Sequence, residues 1–87
     1  IAAALADPAW EVRAEAALAA GRIGVGPLVP QLVDLLRDPV WWVRFHAAGS
    51  LVRMGEPGLG SLRAAAHSAD DVVRRSASLA LAESGLA

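Results

Sequence analysis

The sequence has no cysteine, no tyrosine and no lysine, and only four aromatic residues among 87. Without cysteine there is neither a disulfide framework nor a thiolate site, and nothing ties the fold to an oxidising compartment. Two histidines, His46 and His67, are present, but they show no metal-ligand spacing such as His-x-x-x-His, so no metal and no cofactor is expected. Catalytic constellations are nearly absent, and the chain does not read as an enzyme. Nor is there a charge of one sign: eight arginines face nine acids, for a net charge of −1, which gives no field to steer a phosphate backbone and disfavours nucleic acid as a partner. Long apolar runs are missing too. The longest stretch free of charged residues, Ile23 to Val33, is 11 residues with two prolines inside, against the ~20 needed to span a bilayer. No signal peptide is visible, and a soluble, cytoplasmic chain without membrane contact is the expectation. It opens at Ile1 rather than Met, with Ile-Ala-Ala-Ala-Leu-Ala, and reads as a piece of a longer protein.

What the sequence does have is a repeat. Val12-Arg13-Ala14-Glu15-Ala16-Ala17 returns as Val43-Arg44-Phe45-His46-Ala47-Ala48 and, more loosely, as Val73-Arg74-Arg75-Ser76-Ala77-Ser78. Self-similarity at 31 and then 30 residues marks a stack of small supersecondary units, each too small to bury its apolar face alone. Aligned on this period, Asp7-Pro8 pairs with Asp38-Pro39 and Ser68-Ala69, and Gly24 pairs with Gly55 and Gly85. Each copy reads as cap, helix and glycine stop: Asp or Ser accepts orphan N–H groups, Pro suits the first helical position, and Gly tolerates the left-handed conformation past the helix end. Val43, Ala47, Leu51 and Met54 fall on one helical face. Shorter helices are expected at about 27 to 37, striped by Leu28, Leu32, Leu35 and Leu36, and at about 58 to 67. The order is a helix tail at residues 1 to 6, then long, short, long, short, long.

The strings Asp7-Pro8-Ala9-Trp10-Glu11-Val12-Arg13 and Asp38-Pro39-Val40-Trp41-Trp42-Val43-Arg44, each followed by an Ala-Ala pair, resemble HEAT repeats, specifically the phycobilisome-lyase-type HEAT-like repeats common in bacteria. The resemblance covers nearly the whole chain. It implies an all-α fold, a right-handed α-α superhelix of the armadillo type with about five helices and a partial N-terminal one. In that register the chain holds a half repeat at residues 1–25 and whole repeats at 26–55 and 56–87. Ser68 at the turn-Asp position, with Ser78 and Ser84 at small or apolar sites, makes the third copy the departure from the pattern. The family uses the Asp and Arg positions as an inter-layer ladder, in which Arg13, Arg44 and Arg74 satisfy turn carbonyls and neighbouring carboxylates. An anion-binding row is the competing reading.

The aromatics lie off the repeated apolar pattern. Trp42, His46, Gly49 and Arg53 form a second stripe on the middle long helix, with Phe45 beside it. The resemblance implies that this side lines a concave surface on which partners often sit. The partner-binding candidates are therefore Trp10, Trp41, Trp42, Phe45, His46 and Arg53, with Arg22, Arg75 and Glu83 around them. Trp and Arg are the residues most often found as interface hot spots, and Gly49 would leave a depression beside the rings. Trp10 and Trp41 recur at one repeat position, which fits a role in packing over the loops. For Trp42, Phe45 and His46 both contact and packing stay open.

The functional expectation is a non-catalytic scaffold module that binds a protein or peptide partner. A structural spacer of a longer solenoid is the alternative, and a HEAT-like enzyme or nucleic-acid-binding fragment ranks last. Repeat arrays generally need about three units and polar caps. With apolar residues at both ends, the isolated chain is expected to be marginally stable or to associate end to end.

Overall fold

The computed structural model describes residues 1–86, and among these every regular element is helical. Three long helices, α1 (Trp10–Ile23), α3 (Trp41–Arg53) and α5 (Asp71–Glu83), alternate with two short ones, α2 (Val29–Asp34) and α4 (Gly58–Ala65). Single 3-10 turns at Gly26–Leu28 and Leu35–Arg37 flank α2. The expected helix tail at residues 1 to 6 forms only one 3-10 turn, Ala4–Ala6, which buries Leu5. With Leu5 as its one buried side chain, the segment has little tertiary packing to offset the cost of nucleating a longer helix.

Each long helix ends as the sequence implies. Gly24, Gly55 and Gly85 have φ of 74°, 68° and 77°, the left-handed conformation in which a side chain would be strained. The starts differ from expectation. The carboxylates of Asp7 and Asp38 accept the N–H of Ala9 and Val40 at 2.8 and 2.9 Å, and the Ser68 hydroxyl accepts that of Asp70 at 3.1 Å. These residues therefore shape the turn two positions ahead of the N-cap, and Pro8 and Pro39 belong to that turn rather than to the first helical position. Asp70 is the residue that caps a helix, accepting from Val72 and Val73 at the start of α5.

The core follows the repeated pattern. Val43, Ala47 and Leu51 are fully buried on α3, as are Leu32 and Leu36 on and after α2, Leu62 on α4 and Ala77 on α5. The first copy departs from the others. Val12 is 40% exposed where its counterparts Val43 and Val73 are 0% and 4%. Among the described residues no helix precedes α1 to cover that face as α2 and α4 cover α3 and α5. The three long helices stack side by side, α1 on α3 and α3 on α5, with α2 and α4 behind them, so the fronts of α1, α3 and α5 share one surface.

Candidate functional site

The surface is built on two seams of unequal closeness. Between α1 and α3 the backbones nearly touch. A Cβ added at Gly21 would lie 2.6 Å from the Cβ of Ser50 and 2.8 Å from its Cα, so only glycine fits there. The fully buried Ser50 hydroxyl donates to the Ala17 carbonyl at 2.5 Å, which satisfies a polar group that would otherwise be costly in the core. At the helix starts Arg13 clamps Asp38, donating from Nε to Oδ2 at 2.8 Å and from Nη2 to Oδ1 at 3.1 Å. The same guanidinium donates to the Asp7 and Pro8 carbonyls at 2.8 and 3.1 Å. The hydrogen bond to Asp38 raises the Arg13 guanidinium above its ordinary value, so it stays charged at any ordinary pH.

The seam between α3 and α5 repeats only part of this. Arg44 donates to the Asp38 carbonyl at 2.6 Å and Arg74 to the Ser68 carbonyl at 3.1 Å, so the link to the turn six residues back occurs in all three copies. The carboxylate clamp does not recur, because Ser68 stands where Asp38 stood. Position 52 carries Val where the previous copy has Gly21, and position 80 carries Ala where it has Ser50. Helices α3 and α5 pack far less extensively than α1 and α3. A furrow of about 530 Å³ opens between them, within the usual range for a ligand site.

The rings lie on the crest of α3 between the two seams. Trp41 stacks on Phe45 with centroids 5.0 Å apart, Trp42 meets both edge-on at 4.8 and 5.9 Å, and His46 stacks on Trp42 at 6.0 Å. Trp42 is 51% exposed, Trp41 and Phe45 are nearly as open, and His46 is half-buried. From this crest Trp41, Phe45 and Arg53 line the α3/α5 furrow. Trp42 and His46 turn the other way, toward a shallower depression of about 300 Å³ over the α1/α3 seam, whose far wall holds Trp10. The six candidates thus share one face but divide between two hollows. Trp10 and Trp41 do not fold back over the loops into the core; each looks into the hollow beside its own helix. Gly49 leaves open space as anticipated, since a Cβ there would find only Arg53 Nη2, at 3.9 Å. Arg22 lines neither hollow.

The far wall of the α3/α5 furrow was missed as a set. Val72, Arg75, Ser76, Leu79 and Glu83 line it, at i, i+3, i+4, i+7 and i+11 of α5. That helical stripe was present in the sequence, but it falls in the degenerate third copy, where only Arg75 and Glu83 drew notice. Val52, opposite, was hidden by its ordinary helical context. Chemically the face offers rings, arginines and apolar floor. Among the described residues no group of three or more His, Asp or Glu could hold a metal, and no helix is long and apolar enough to cross a membrane.

Comparison with curated proteins finds no match. The family model for HEAT repeats matches residues 1–82. With the alternation of long and short helices, the left-handed glycine stops and the Arg13 clamp already accounted for, this chain belongs to the HEAT-repeat family, and its fold is an α-α solenoid.

Proposed function

We propose that the chain is a non-catalytic interaction module that grips a peptide or helix of a partner protein on the shared face of α1, α3 and α5. HEAT repeats are commonly protein-interaction or scaffold modules. The observation that carries the reading is the crest of α3, where Trp41, Trp42 and Phe45 stack on one another and stay exposed. Rings braced in this way lose little conformational freedom on binding, and a buried Trp anchor can contribute about 2 kcal/mol or more to an interface. In this reading the chain is one stretch of a longer bacterial solenoid working in the cytoplasm, with units at 1–25, 26–55 and 56–87.

The test is affinity capture from a lysate of the source organism, with the chain beside a Trp42→Ala/Phe45→Ala variant of native helicity by circular dichroism. A stoichiometric partner held by the parent chain and lost by the variant supports the module and its face. Capture of nothing by either leaves a structural spacer.

A further inference from the structure

The α3/α5 furrow holds more cations than it has carboxylates to answer them among the described residues. Arg44, Arg53 and Arg75 line it, and none of the three forms an ion pair among the described residues; the only carboxylate in the lining is Glu83. Arg44 shows the origin of the imbalance. One copy earlier Arg13 spends its charge on Asp38, whereas the position that should answer Arg44 is the uncharged Ser68. The neighbouring hollow over the α1/α3 seam has the opposite lining, Glu11 and Glu15 with no arginine. Between the free cations the floor is apolar, formed by Phe45, Val52, Val72 and Leu79 around the gap at Gly49.

We propose that the α3/α5 furrow seats an acidic amphipathic helix of the partner protein, deepening the interaction-module reading and resting on it. The 13 residues of α3 give a furrow about 20 Å long at 1.5 Å per residue, enough for about four turns of the occupant. Its apolar stripe lies over Phe45, Val52 and Leu79. Its carboxylates answer Arg44, Arg53 and Arg75, so the partner supplies the charge that Ser68 does not. The α1/α3 hollow, shallower and acidic, rejects the same helix.

Two labelled peptides of about 14 residues, matching the furrow length, provide the probe. They share a leucine stripe and differ only in carrying Glu or Lys on its flanks. In fluorescence-anisotropy titrations at low salt the Glu peptide is expected to bind about ten-fold more tightly or better, the sum of a few partly exposed ion pairs. Added salt should shrink the advantage. Ser68→Asp, which gives Arg44 an internal partner and can keep the bond from the Asp70 N–H as Asp38 keeps that from Val40, should weaken Glu-peptide binding, as should Arg75→Gln. Gly49→Leu should abolish it by filling the gap, while Glu11→Gln/Glu15→Gln should change nothing. Equal or tighter binding of the Lys peptide, a Glu preference intact in both Ser68→Asp and Arg75→Gln, or no binding of either peptide would overturn the proposal. If a partner is still captured through Trp42 and Phe45 in such a case, the interaction module stands without its acidic helix; if none is captured, both fall.

Discussion

The α1/α3 and α3/α5 seams are two castings of one motif, and only the first closes. The helices on either side have the same length class, the same glycine stops and the same arginine bonded to its turn carbonyl. Three positions separate the seams. Gly21 against Ser50 becomes Val52 against Ala80, which removes the close backbone approach and its buried hydrogen bond. Asp38 becomes Ser68, which removes the clamp. Seam closure in this solenoid is thus decided by a few contact positions, while the helices themselves are insensitive to it.

The comparison can be broken most severely at the clamp. Arg13→Gln leaves the Asp38 carboxylate, 5% exposed, without its cation, and should cost about 3 kcal/mol, read as a lower urea midpoint. An unchanged midpoint would show that the clamp decorates a seam closed by packing alone. Gly21→Val writes the second seam into the first. Overpacking against Ser50 should cost about 2 kcal/mol, and a melt within about 0.5 kcal/mol of the parent would contradict the close approach as the decisive feature. Ser68→Asp runs the other way and should add about 1 kcal/mol by giving Arg44 a carboxylate in a partly buried setting, visible as a raised melting temperature. A lower one would mean that Arg44 cannot reach across the open seam.

The smallest effect concerns pH. The Arg74 hydrogen bond holds the Asp71 carboxyl at the start of α5 below its usual range. A carboxyl lowered in the folded state contributes stability above its unfolded value, and the contribution disappears as pH falls through the folded one. Asp71 is exposed, so the expected outcome is a slight acid-side loss that Asp71→Asn abolishes, seen in melts from neutral to acidic pH. An acid limb identical in parent and variant would remove this pair from the stability of α5.

Most of the fold was legible because its determinants are local and periodic. The leucine stripe through and around α2 and the stop glycines announce themselves within a turn or two of chain, and the return of Val-Arg after 31 residues shows that they repeat. Helix starts were less legible, since an Asp two residues ahead of an N-cap looks in sequence like the cap itself. The division of the aromatics between two hollows could not be read at all. It depends on how far apart neighbouring helices sit, and that spacing is set across the seam by pairs such as Gly21 and Ser50, 29 positions apart. The stripe of α5 was missed for a related reason: Val72 and Leu79 gain meaning only when the seam beside them is open.

The Ser76 hydroxyl, whose one proton lies between the Val72 carbonyl of its own helix at 2.8 Å and the Leu36 carbonyl at 3.2 Å, is a polar tie from α5 to the preceding unit. In an array where each layer leans only on its neighbours, the order of disassembly follows the weakest joint. Of the two joints between long helices, the one that α5 makes with α3 is the more open. Amide hydrogens of α5 are therefore expected to exchange before those of α1 and α3, which native-state hydrogen exchange would check.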